Sequence, residues 1–185
     1  EELSKYILLS HFKRMDIAHR GLWNRQNKID GIIRVSDYVD IVEVDVRANS
    51  KGVLVLCHDR DKVDEDNDTL EELCKVSKKL HIILDIKGNL AREVLDTIRK
   101  SQHTWKLASF DYRCVRDLSR MGGYEVGLIT AGIPHPEAVK NIDFVIQDYD
   151  FYEKGVYDID VYVYGTQCDI RGVNQIKNIF LDISR

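Results

Sequence analysis

Short apolar runs rich in Val and Ile recur from one end of the chain to the other, and most are separated by amphipathic segments long enough for two or three helical turns. The runs at 16–20, 41–47, 53–58, 81–87, 104–109, 124–129, 142–147, 158–164 and 179–184 predict strands. The intervening patterns at 32–39, 69–80, 89–100, 112–121, 136–141 and 171–178 predict helices. Several of these carry start and stop signals. Asp68 or Thr69 can cap the second, Asn89 the third and Asp111 the fourth, while Gly122 and Gly123 end the fourth by supplying left-handed backbone.

Unbroken strand and helix alternation allows either a doubly wound open sheet or a closed barrel. An open sheet would carry about five or six strands, so the count of candidate strands favours an α/β fold of the compact (β/α)8 TIM-barrel type. One candidate is then surplus. The segments 41–47 and 53–58 are the suspicious pair, because the linker ANSKG is too short for a crossover helix. It is either a hairpin or a direct extended connection.

The length of 185 residues bounds the answer to a single domain over 1–185. A barrel usually needs about 200 residues or more, so the links must be short. With 44% hydrophobic and 31% charged residues the chain has material for a core. Lys and Arg total 27 against 31 Asp and Glu, a formal charge of −4, which argues against a nucleic acid partner. No apolar stretch approaches the roughly 18 to 20 residues of a transmembrane segment, and EELSKYILLSHFKR is too charged to read as a signal peptide. Cys57, Cys74, Cys114 and Cys168 are irregularly spaced, as expected of free thiols in a reducing compartment, so a cytoplasmic location is expected. The acidic run at 64–68 reads as a solvated loop.

Residues two apart on a strand share a face, so Glu43 and Asp45 project together from IVEVDVR while its valines pack on the other side. Two acids in a valine-rich strand repel each other and resist desolvation unless something neutralises them. The oddity recurs in HIILDIK, where Asp85 and Lys87 share a face. Glu43, Asp45 and Asp85 form an oxygen-rich set suited to a hard divalent cation, Mg²⁺ or Ca²⁺. The competing reading is an ion-paired interior in which Lys87 and Arg47 satisfy the acids. His19 and His58 end strands on either side of the carboxylate pair, which suits a general acid and a general base acting on a phosphate. Arg20 supplies a fixed bidentate cation for phosphate oxygens. In a barrel all of these fall at the carboxyl ends of strands, where active sites gather.

H-R-G at 19–21, E-x-D at 43–45, H-D at 58–59 and D-x-K at 85–87 together resemble the glycerophosphodiester phosphodiesterase family, within the phospholipase C-like phosphodiesterase barrels. The resemblance extends to S-F-D at 109–111, to the aromatic-bearing VYVYG at 161–165 and to IFLDIS at 179–184, and so spans nearly the whole chain. It implies a role in lipid metabolism, with a small-molecule phosphodiester as partner. The expected reaction is metal-dependent hydrolysis of a glycerophosphodiester to an alcohol and glycerol phosphate. His19 and His58 would be the acid/base pair, Arg20, Lys87 and Tyr164 would bind substrate, and Glu43, Asp45 and Asp85 would hold the cation.

Three departures go with the resemblance. Asp85 stands where these enzymes usually have Glu, a position at which sphingomyelinase D-type barrels resemble this chain in having Asp, and Tyr164 stands where the family often has Trp. The P-E-N-T-like stretch that carries an active-site Glu is replaced by LWNRQNKID, which leaves Asn24, Gln26 or Asn27 to line that side. The rival readings are a sphingomyelinase D-like lipid phosphodiesterase and a catalytically degenerate barrel that binds a phosphorylated ligand or a protein.

Overall fold

The computed structural model describes residues 15–22, 24–151, 159–164 and 178–181. Its main sheet begins with β1 (Met15–Ala18), then β4 (Ile41–Ala48), β6 (His81–Ile86), β7 (Thr104–Ser109), β8 (Glu125–Thr130), β9 (Phe144–Asp148), β10 (Asp160–Tyr164) and β11 (Asn178–Leu181). Neighbours in this series pair in parallel. β1 pairs with β11 on one side and with β4 on the other, so the eight strands close into a barrel.

The surplus strand is β5 (Leu54–Leu56), which pairs antiparallel with β4 and stands outside the ring. The linker is therefore a hairpin. Asn49 shapes its turn: the side-chain oxygen accepts from the amides of Lys51 and Val53, and Gly52 takes the left-handed φ of +78° that the turn requires. A second small ribbon, β2 (Gly21–Leu22) with β3 (Arg25–Gln26), follows H-R-G and has no counterpart in the sequence expectations.

Strand alternation divides the core in two. Ile17, Ile41, Ile83, Ala108, Ile129, Phe144, Ile146 and Tyr162 fill the barrel interior. Val42, Val44, Val46, Ile82, Leu84 and Ile86 face outward and pack under the helices, so the strands are buried on both faces. Gly127 is a packing requirement, because a Cβ there would lie 2.2 Å from the Phe144 ring. The absent side chain makes room for that ring to fill the lower barrel, where it meets Tyr162 edge-on with centroids 5.4 Å apart.

Three helices are shorter than their patterns, α1 (Ile29–Val35), α2 (Leu70–Cys74) and α3 (Ala91–Ile98), while α4 (Tyr112–Met121) has the expected bounds. Thr69 caps α2 in a full capping box with Glu72, and Asp111 caps α4, which ends at Gly122. Three expectations are corrected. α1 begins at Ile29 rather than near Ile32, because Asp68 of the acidic run accepts the Ile29 amide at 2.6 Å and starts the helix from a distant loop. Asn89 does not cap α3. The helix begins after Leu90 without a side-chain cap, and the Asn89 amide reaches Asp117 instead. The segment 136–141 forms only a 3-10 turn over Pro136–Ala138. The helix expected at 171–178 lies outside the described residues, apart from Asn178, which is in β11. Among the described residues no helix is long and apolar enough to cross a membrane.

Candidate active site

β4 turns Glu43 and Asp45 into the barrel, and the register sets Asp45 directly beside Asp85 of β6. All three side chains are buried, and one oxygen from each lies within 4.8 Å of the others. The expected carboxylate cluster therefore forms. Cys114 and Cys57 are buried and Cys74 half-buried, all three as free thiols; Cys168 lies outside the described residues.

Two cations share the cluster. Lys87 Nζ lies 2.8 Å from Asp45 Oδ1 and also contacts Asp85 Oδ2, and Arg20 Nε stands 3.1 Å from Asp45 Oδ2. Arg47, the other cation expected to neutralise the acids, does not do so: its Nε donates to the carbonyl of His58 at 2.7 Å. Arg20 takes that place. Its backbone adopts φ +57°, and its amide donates to Glu43 Oε2 at 3.0 Å.

The electrostatics follow from this uneven sharing. Burial works against ionisation of Asp45, but Lys87, Arg20 and the hydrogen bond from Asn27 outweigh it and hold the carboxyl below its usual range. Among the described residues Glu43 forms no ion pair with a lysine or an arginine. Burial first, then repulsion from Asp45 and Asp85, pushes it well above the ordinary carboxyl range. Asp85 is raised to about 6, chiefly by burial, and its Oδ1 is buried without a hydrogen bond. Three carboxyls share two cations, Lys87 and Arg20, so two of them are held back from ionising and one hard oxygen is unused, a donor set that a divalent cation would fit and ionise.

The H-R-G loop contributes a neutral group. Asn24 and Gln26 are exposed, and Asp30 pairs with Arg25 at the surface. Asn27 is buried, with φ +56°. Its Nδ2 donates to Asp45 Oδ2 at 2.9 Å, while its Oδ1 accepts the Asp45 amide at 3.0 Å.

Both histidines reach the cluster's edge. His19 Nε2 lies 3.8 Å from Glu43 Oε2. His58 follows β5, and the amide of its neighbour Cys57 still donates to the Asp45 carbonyl at 3.2 Å, which ties the hairpin end to the acids. His58 Nδ1 meets Asp59 Oδ1 at 2.7 Å. An ionised carboxylate can only accept, so Nδ1 carries the proton and Nε2 is left for other work. Asp59 stays below its usual pKa through that bond and a second one from Lys62.

Tyr164 stands at the end of β10, with its hydroxyl 3.4 Å from the Thr130 carbonyl. Burial, then the charges of Asp148 and Asp85, raise its phenol, which places the ring within the field of the cluster. Lys87 Nζ lies 5.6 Å from the ring centre of Phe110, an exposed residue in the S-F-D stretch. Sequence reasoning missed the orienting bond from Asp59, although the adjacent H-D was its visible signal. It named Asn27 as one of three possible residues with nothing to choose between them.

No family model matches the sequence, and no curated protein matches it. Solved structures do. A glycerophosphodiester phosphodiesterase from Parabacteroides distasonis superposes with a TM-score of 0.74 at 19% identity, over 92% of this chain and 93% of that one. One from Thermotoga maritima gives 0.69 at 18% identity, over 92% and 95%. A putative one from Galdieria sulphuraria gives 0.70 at 14% identity, over 90% and 93%. At such identities the likeness is one of fold. In that respect the chain is a (β/α)8 barrel of the kind found in glycerophosphodiester phosphodiesterases.

Proposed function

We propose that this chain is a metal-dependent phosphodiesterase that hydrolyses a small glycerophosphodiester to an alcohol and glycerol phosphate. The observation that carries this reading is the convergence of Glu43, Asp45 and Asp85 within 4.8 Å, with His19 beside Glu43, in the barrel shared with the phosphodiesterase structures.

Glu43, Asp45 and Asp85 would hold a divalent cation, Mg²⁺ or Ca²⁺, which when bound supplies Lewis-acid polarisation of a phosphoryl oxygen. Arg20 and Lys87 bring fixed positive charge to the phosphate, where neutralising the charge that develops in the transition state is usually the largest catalytic contribution. One histidine takes the proton from the attacking group, either water or a neighbouring substrate hydroxyl that would form a cyclic phosphate. The other protonates the leaving oxygen. Asp59 holds the His58 ring in one tautomer, and Tyr164 walls the substrate side. The three free thiols support a reducing, cytoplasmic setting.

The test is hydrolysis of glycerophosphocholine and glycerophosphoethanolamine with and without chelator. Turnover that chelation abolishes and added cation restores is the expected result; inactivity at every cation concentration on these two and on glycerophosphoserine and glycerophosphoinositol overturns it. A second reading, a barrel that binds a phosphorylated ligand without turning it over, is favoured by the neutral Asn27 in the H-R-G loop and by Lys87 lying across Asp45 and Asp85. It predicts binding of glycerol phosphate without hydrolysis.

A further inference from the structure

A cavity of about 430 Å³ opens beside the carboxylate cluster, between the β4–β5 hairpin, the 3-10 turn at Arg60–Lys62 and the segment from Lys87 to Leu90. Its charged lining is Arg47, Arg60 and Lys87 against the single acid Asp64. Lys87 is common to both places: its ammonium sits on Asp45 and Asp85, so the cavity adjoins the position proposed for the phosphate.

The other two cations are not used up by the protein. Arg47 spends only Nε, on the His58 carbonyl, and neither Arg47 nor Arg60 forms an ion pair with a carboxylate among the described residues. Asp64 accepts the amide of Ser50, on the same lining, at 2.9 Å, so its charge stays in the wall and offsets one of the two guanidiniums. In a chain with 31 acids and a net charge of −4, two guanidiniums with no acid partner around one cavity form a local field opposite in sign to the molecule. Guanidinium nitrogens offer paired donors that match the oxygens of a carboxylate or phosphate. The start of α3 adds to this field, since that helix lacks a side-chain cap where Asn89 and Leu90 line the cavity.

We infer that the cavity is a specificity subsite for an anionic group, carboxylate or phosphate, carried on one alcohol of the diester, so that the preferred substrates are glycerophosphodiesters with a negatively charged headgroup. This rests on the phosphodiesterase reading and adds the substrate class to it.

Two matched pairs of diesters isolate the anionic group. Glycerophosphoserine differs from glycerophosphoethanolamine by one carboxylate, and glycerophosphoinositol 4-phosphate differs from glycerophosphoinositol by one phosphate. The expected result is a kcat/KM about tenfold higher for the anionic member of at least one pair, with the pair that responds naming the group. Arg60→Glu should erase that ratio while leaving the rate on glycerophosphoethanolamine unchanged. A ratio near one for both pairs in the wild-type protein, or an unchanged ratio in Arg60→Glu, overturns the inference. If no diester is turned over, the phosphodiesterase reading falls by itself, and calorimetry then decides the subsite. Tighter binding of glycerophosphoserine than of glycerophosphoethanolamine, lost in Arg60→Glu, sustains it; equal binding ends it.

Discussion

Asn27 and Asp45 hold each other in both directions, the Asn27 amide donating to the carboxylate and its oxygen accepting the Asp45 backbone amide. A neutral side chain thereby fixes the central acid of the cluster without adding to its charge. Removing it strands two buried groups, and the left-handed backbone adds strain for any residue with a Cβ that cannot bond locally. Asn27→Gly should cost about 1–3 kcal/mol, and Asn27→Ala roughly 1–2 kcal/mol more. Urea unfolding of the two variants measures both contributions; equal stability of Asn27→Gly and wild type would show that the clamp contributes nothing.

His19→Ala and His58→Ala should each lower kcat on a diester that the protein hydrolyses by about 100-fold or more, with little change in thermal stability because both rings are partly exposed. Asp59→Asn should cost less, about tenfold, and should shift the pH–rate profile, since it alters the tautomer held at His58 rather than the ring itself. Near-wild-type turnover in either histidine variant sinks the acid/base assignment.

Mg²⁺ or Ca²⁺ should raise the melting temperature of the wild-type protein, by an amount equivalent to about 2.7 kcal/mol at a hundred times the dissociation constant. Asp85→Asn and Glu43→Gln should each lose that response. Scanning calorimetry with and without cation is decisive, because an equal shift in all three proteins would place the ion elsewhere.

Lys87 bears on the same question from the other side. In the metal-free protein its ammonium offsets Asp45 and Asp85, so Lys87→Met should destabilise by about 3–5 kcal/mol through uncompensated buried charge. Added divalent cation should recover part of the loss. Denaturant titrations with chelator and with cation compare the two; a loss that cation leaves untouched would mean that the lysine packs rather than neutralises.

Cys114 gives a pH signature away from the site. Burial pushes its thiol from 9.0 to about 11, so the folded chain keeps a proton that the unfolded chain releases between those values. The stability linked to this group is complete below about pH 9 and falls as the pH rises toward 11. Cys114→Ala should flatten the decline over that interval in chemical denaturation curves. An identical slope in the variant would argue against the shift.

The barrel and most of its cluster were legible in the sequence because they rest on a local rule. Alternation along β4 puts Glu43 and Asp45 on one face whatever the rest of the chain does, and the same holds for Asp85 and Lys87 on β6. What could not be read depends on residues distant in the chain or on backbone conformations without a strong signature. The start of α1 is set by Asp68, 39 positions after the amide it caps. Asn27 works only because the turn after H-R-G takes it left-handed, and Asn24 and Gln26 looked equally able. Arg47 shares a strand face with the acids, yet the hairpin supplies the His58 carbonyl as a nearer partner, and the expected ion pair went to Arg20 instead.

The closing of the ring has a consequence for synthesis. β1, which carries His19 and Arg20 at its end, is held on one side by β4 through only the pairs Ile17–Ile41 and Ala18–Val42, and on the other by four pairs with β11. A nascent chain that has left the ribosome as far as β10 has every proposed catalytic residue but only the weaker of the two seams that position the first of them. The proposed diester hydrolysis should therefore appear only once residues 178–181 emerge, and chains stalled before that point would hold the residues without the geometry.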